Sequence, residues 1–169
     1  SWASGIGLGP FGNNQESSSE AVNAWVGLIL WAEVTGDKAL RDLGIYLYTS
    51  EIEAINYYWF DIHRLVFPPE YKNVETSMLF GGKYAHNTWW IDEPRQIKGI
   101  NLLPITTAST YLGRDPAFVK RSLATLKPET EVFASRGKVA KPIDIWQDLF
   151  AKYMATADPQ AALAMWDRW

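Results

Sequence analysis

Two glutamates flank three serines in the segment Asn13-Asn14-Gln15-Glu16-Ser17-Ser18-Ser19-Glu20. Positions four apart share one face of a helix, so the Glu16 and Glu20 carboxylates point the same way if the helix has begun by residue 16. In such a pair one carboxylate can take a proton from a water while its neighbour tunes its charge or holds it in place. The spacing is too close for the two to work from opposite sides of a sugar, because inverting glycoside hydrolysis needs acid and base roughly 6.5–9.5 Å apart. A proton donor would have to come from elsewhere.

The same residues have a structural reading. Ser17 and Glu20 fit a capping box, in which the Ser17 hydroxyl accepts the Glu20 N–H and the Glu20 side chain returns to the Ser17 N–H. Like charges one turn apart repel by only about 0.2–0.5 kcal/mol. A helix N-terminus offsets part of that, typically by ~0.3–1 kcal/mol per charge. The helix start therefore tolerates the pair under either reading.

Composition narrows the chemistry. The chain has no cysteine, which excludes disulfides, thiolate metal sites and cysteine nucleophiles, and two histidines, His63 and His86, cannot build a zinc site by themselves. No metal and no cofactor is expected. A net charge of -3 with 21% charged residues is too mild for a nucleic-acid partner, and no run of 18 apolar residues provides a helical membrane span. Aromatics make up 14% of the chain, with 9 Trp, and flat rings with a polar edge suit clefts that bind sugar faces. Trp2, Trp89 and Trp90 are candidate stacking platforms, with sealing of the core between helices as the competing role. Asn13, Asn14 and Gln15 can hold a sugar hydroxyl or orient Glu16, or simply form a polar turn. His63 and His86 can contact substrate hydroxyls, or serve as structural hydrogen-bonders beside aromatics. Tyr57, Tyr58 and Trp59 read as core or rim.

The elements that must carry these residues are helical. Residues 1–15 read as a loop; the chain begins S-W-A-S-G with neither an initiator Met nor a signal-peptide pattern, as in a processed or truncated polypeptide. Ala21, Ala24, Trp25, Leu28, Trp31 and Ala32 recur at helical spacing from Ser18 to about Val34, and Gly36 stands where a C-terminal cap belongs. A second helix is expected from Asp37 to about Phe60, antiparallel to the first. Residues 61–97 form a long aromatic loop, punctuated by Pro68-Pro69, Gly81-Gly82 and Pro94, with one short hairpin of Ser77 to Phe80 against Tyr84 to His86. A second pair spans Ile97 to Leu112, broken or kinked at Pro104, and Asp115 to about Thr125. After a linker at 127–141, a third pair runs from Pro142 to Thr156 and from Asp158 to Trp169, with Pro159 in the first turn. The fold class is all-α, with helical hairpins forming part of an α/α toroid.

Several blocks of the chain together resemble glycoside hydrolase family 81, the endo-β-1,3-glucanases. They are S-W-A-S-G at 1–5, N-Q-E-S-S-S-E-A at 14–21, N-A-W-V-G-L at 23–28 and T-G-D-K-A-L-R-D-L-G at 35–44, followed by F-P-P-E-Y at 67–71, N-T-W-W at 87–90, I-K-G-I-N-L-L-P-I-T at 97–106 and Y-L-G-R-D-P-A-F-V at 111–119. The resemblance implies inverting endo-hydrolysis of β-1,3-glucan in a cleft of an (α/α)6 barrel, outside the cell or at the cell wall. It implies that Glu16 and Glu20 are active-site residues, with Glu16 as the water-activating base and Glu20 as its partner; the reverse assignment stays open. It also implies that the general acid is an aspartate upstream of S-W-A-S-G, so that residues 1–169 are a partial barrel whose partner is the N-terminal half of the same enzyme. Asp61, Asp92 and Glu93 are the local acids that could stand in for it, without support from the family pattern. The alternative function is a non-catalytic β-1,3-glucan-binding fragment lacking the acid. Half a toroid should also leave apolar helix faces uncovered, with self-association as the consequence.

Overall fold

The computed structural model describes residues 14–15, 17–77, 79–80, 86, 93–126 and 146–167. Helix α1 (Glu20–Thr35) and helix α2 (Lys38–Ala54) pack on each other as the expected hairpin. The turn between them is written in two residues. Gly36 takes the left-handed conformation at φ 72°, its N–H reaching the Ala32 and Glu33 carbonyls, and Asp37 caps α2 by accepting the Leu40 N–H at 3.0 Å. A Cβ on Gly36 would meet nothing within 4 Å, so its substitution costs only backbone strain. Gly36→Ala is expected to lower stability by about 1–2 kcal/mol, read as a shift of the urea midpoint at unchanged slope.

The last turn of α2 widens into a π-helical turn, Ile55–Trp59, closed by Phe60 N–H to the Ile55 carbonyl at 3.1 Å. This turn holds the loop that follows it. The Trp59 carbonyl accepts the Thr76 N–H at 2.9 Å, and the Tyr58 carbonyl accepts the Thr76 hydroxyl at 3.4 Å. Between them the chain is irregular. Asp61, at φ 40°, gathers the N–H groups of Leu65, Val66 and Phe67 onto its carboxylate at 2.7–3.0 Å and so coils the segment into a turn.

Asn14 and Gln15, expected as loop, form a short strand. Leu79–Phe80 (β2) pairs antiparallel with Asn14–Gln15 (β1), with Asn14 opposite Phe80 and Gln15 opposite Leu79. The strand before the glutamates is thus the partner of Leu79–Phe80. The second arm expected for the hairpin, Tyr84 and the residue after it, lies outside the described residues, as do most of the aromatic segment 81–92 and the linker 127–141.

Helix α3 (Pro94–Leu102) begins three residues before the expected start, because Glu93 caps it and Pro94 occupies its first turn rather than ending a loop. The chain breaks at Pro104, as the sequence predicts, and continues as a 3-10 helix, Thr107–Gly113, opened by a capping box between Thr106 and Ser109. Helix α4 (Pro116–Ala124) is capped by Asp115. Helices α5 (Gln147–Ala155) and α6 (Pro159–Trp166) form the last pair, α6 capped by Asp158; the expected start of this pair at 142–145 is not among the described residues. Gly99 on α3 lies so close under the Trp146 indole that a side chain there has no room, and Trp146 donates to Gln96 at 2.9 Å. That contact holds α3 against the start of α5.

One core joins these elements, with Val22 of α1, Ile52 and Ile55 of the second helix, Leu102, Val119 and Phe150 among its fully covered members. The far end of the first hairpin is different. Trp31 (63%), Val34 (84%) and Tyr46 (66%) are exposed, along with Leu30 and Leu43. Trp31, which belongs to the helical apolar periodicity of the first helix, and Leu43 are therefore not core residues of the described structure. Among the described residues no helix is long and apolar enough to cross a membrane.

Candidate active site

The serine triplet is fixed by elements far away in sequence. The Ser18 N–H and hydroxyl both donate to the Asn101 carbonyl, at 2.8 and 3.0 Å, and the Ser17 hydroxyl donates to the Leu103 carbonyl. The Ser19 N–H is bonded to Ser17 Oγ at 3.2 Å, and Ser19 Oγ lies 3.5 Å from the hydroxyl of Tyr111. Burial pushes that phenol up to about 12, with the serine hydroxyls acting in the opposite sense, so Tyr111 stays protonated and able to donate. Ser18 and Ser19 are fully buried.

The expected capping box is therefore not what the structure contains. The N-cap is Ser19, which makes no side-chain cap bond, while Ser17 has turned its hydroxyl to the end of α3. The Ser17 oxygen accepts the Ser19 N–H instead of that of Glu20, and the serine donors satisfy carbonyls at the end of α3 that have no helical partners of their own. Glu20 is consequently the first residue of α1, half-buried, on a backbone anchored immediately before it.

Of the other expected residues, Asn14 contributes its backbone to β1. Glu16, Trp2, Asn13, Trp89 and Trp90 lie outside the described residues. His63 is exposed and its ring stands 5.6 Å from that of Tyr57, tilted by 54°. His86 is half-buried, its Nε2 3.9 Å from Glu75 Oε1. Two of the three stand-in acids have other tasks. Asp61 organises the 65–67 turn, and Glu93 accepts the N–H groups of Arg95 and Gln96 at 3.1 and 3.0 Å as the cap of α3. Asp92 is not among the described residues. Among the described residues no three His, Asp or Glu side chains are grouped to hold a metal.

One turn before Asn101 on α3 lies a charged cluster that the sequence reading missed. Lys98 of α3 is 2% exposed and its ammonium is paired with the Glu75 carboxylate; it also donates to Ser122 Oγ at 2.7 Å, and Ser122 donates to the other Glu75 oxygen at 3.0 Å. Burial alone would raise the Glu75 carboxyl, but the Lys98 charge, His86 and the Ser122 hydroxyl outweigh it and hold it at about 2. Because the folded value lies below the ordinary 4.5, the unfolded chain binds the extra proton between those limits. The stabilisation is complete above pH 4.5 and is lost as pH falls towards 2. Acid unfolding followed by circular dichroism should show this component in the wild type, and Glu75→Gln should flatten it in that window.

Comparison with known proteins fits this architecture. The family model described as the glycosyl hydrolase family 81 C-terminal domain matches residues 1–168. The chain belongs to family 81. A glucan endo-1,3-beta-D-glucosidase of Acetivibrio thermocellus is 48% identical over 167 residues, 99% of this chain and 21% of that protein. One from Thermobifida fusca is 37% identical over 98% of this chain, again 21% of its own length. A solved family 81 glycoside hydrolase from Clostridium thermocellum superposes with a TM-score of 0.75 at 48% identity, covering 92% of this chain and 21% of that one. This family 81 chain thus spans about a fifth of the length of the curated relatives it matches, and its helical pairs are consistent with part of an (α/α)6 toroid.

Proposed function

We propose that this family 81 chain takes part in the endo-hydrolysis of β-1,3-glucan with inversion, and that Glu16 and Glu20 supply the carboxylates that activate the attacking water. The observation that carries the proposal is the mounting of Glu20. Its backbone is locked through three buried or half-buried serines to α3 and the 3-10 helix, which is more restraint than a surface helix start requires. Names of relatives support the substrate class, since those from Acetivibrio and Thermobifida are called glucan endo-1,3-beta-D-glucosidases. A fission-yeast relative, 29% identical, is called a primary septum enzyme of the same kind, which supports action outside the cell or at the cell wall.

Glu20 alone cannot protonate the leaving sugar while activating water, and Asp61 and Glu93 are engaged in a turn and a helix cap. In our reading the proton donor is an aspartate from an upstream part of the barrel. Residues 1–169 are in this reading one partial-barrel unit, and the exposed apolar end of the α1–α2 hairpin is where the remaining barrel helices pack. The test is hydrolysis of laminarin by the complete polypeptide, with the first-formed anomer read by proton NMR. Release of the α-anomer from the β-linked substrate supports the proposal. Release of the β-anomer removes the inverting mechanism, and binding without product release would favour the glucan-binding alternative.

A further inference from the structure

The start of α1 and the end of α2 meet through a single residue on α3, by its backbone carbonyl on one side and its side chain on the other. The Asn101 carbonyl takes both donors of Ser18, while its side-chain Nδ2 donates to the Thr76 carbonyl at 2.7 Å. Thr76 is in turn bonded to the π turn that ends α2. One turn earlier on the same face of α3, Lys98 grips Glu75, so residues 75 and 76 run along α3 on two successive bonds. Three residues later the same segment enters β2, the partner of Asn14–Gln15. The backbone on both sides of the serine motif is thus held by one segment, and Asn101 is the point where that segment and the serines are tied together.

The cost of this arrangement points to a role beyond stability. Asn101 is 1% exposed, and its Oδ1 makes no hydrogen bond among the described residues. A buried acceptor left without a partner opposes folding, and an apolar residue of the same size would avoid it. We propose that Asn101 is a positioning residue for Glu20, fixing the first turn of α1 against the end of α2 so that the carboxylate keeps one orientation at the scissile bond. The inference rests on the assignment of Glu20 to the active site.

Asn101→Leu in the complete polypeptide tests it, because the substitution removes the tie to Thr76 and the unpaired oxygen together. Its kcat on laminarin is expected to fall about 10- to 100-fold with KM within about twofold, as for a misplaced catalytic group, while its melting temperature stays at or above that of Val119→Ala. Val119→Ala, a core truncation in α4, is expected to keep wild-type kcat at temperatures where it is folded. If Asn101→Leu does not fold, Ser18→Ala, which removes only the hydroxyl half of the grip, should lower kcat by about 3- to 10-fold at near-native stability. Wild-type kcat in whichever of these variants folds, or a loss no larger than that of Val119→Ala at equal melting temperature, overturns the proposal. Glu20→Gln assayed in parallel separates the two levels: if it is inactive and Asn101→Leu is normal, only the positioning role fails, whereas an active Glu20→Gln removes the site assignment itself.

Discussion

Glu20→Gln in the complete polypeptide is expected to lower kcat on laminarin by about 100- to 10,000-fold with little change in KM. That is the range a positioned proton-transfer group contributes, and Gln keeps the size of the side chain while removing its basicity. The loss should fall on kcat and kcat/KM together, because a base acts in the transition state and not in binding. Glu16→Gln, measured beside it, tells the base from its partner: the base variant should show the deeper loss. If Glu20 only complemented the helix dipole, the substitution would cost ~0.3–1 kcal/mol of stability and leave turnover intact. The structure narrows that possibility from one side, since the N-cap of α1 is Ser19, without a side-chain cap bond, and the Ser17 oxygen accepts the Ser19 N–H.

The largest stability effect is expected at Lys98. Lys98→Met leaves the Glu75 carboxylate buried without its cation and should destabilise the fold by about 3–5 kcal/mol. Against a total stability of roughly 5–15 kcal/mol for a domain, this is a large share. The double variant Glu75→Leu with Lys98→Met removes both charges and should recover much of the loss, because the pair repays its own desolvation only in part. The geometry makes the asymmetry sharp. Glu75 and Lys98 are each about 2% exposed and Ser122 is 1% exposed, so no water can replace the missing partner without opening the junction of α3 and α4. Equilibrium urea unfolding of the two single variants and the double gives the coupling directly; additive losses would show that the pair is not interacting as the distances imply.

The helices were legible where capping and periodicity agree. Thr35-Gly36-Asp37 gives both the end of α1 and the start of α2, and Asp115 and Asp158, each followed by proline, give the starts of α4 and α6. What misled was chemistry settled by tertiary contacts. Ser17-x-x-Glu20 matches a capping box, but the helix starts so that Ser19 is the N-cap, and the Ser17 oxygen accepts the Ser19 N–H while its proton goes to the Leu103 carbonyl at the end of α3. Residues 14 and 15 read as loop, yet the structure pairs Asn14–Gln15 with Leu79–Phe80, a contact no local pattern announces. Lys98 was the least legible of all. A lysine in a helix is usually a solvated charge, and its burial depends on Glu75, 23 residues earlier in a segment without periodicity. A trace was present, since Lys98 falls on the same stripe as Asn101 and Leu102, which are buried with it. Of the expected site, Glu20 is placed at the first position of α1, with a firmer anchorage than the motif itself suggested.

Chemical rescue addresses the role of the glutamates most directly. Glu16→Ala and Glu20→Ala, each in the complete polypeptide, are incubated with a β-1,3-gluco-oligosaccharide and azide. An inverting base delivers its nucleophile from the face opposite the leaving group, so azide entering the space left by the base should restore turnover in one variant and yield an α-glucosyl azide. Rescue in neither variant, or a β-configured azide, would contradict the assignment of these carboxylates to the water-activating side of the site.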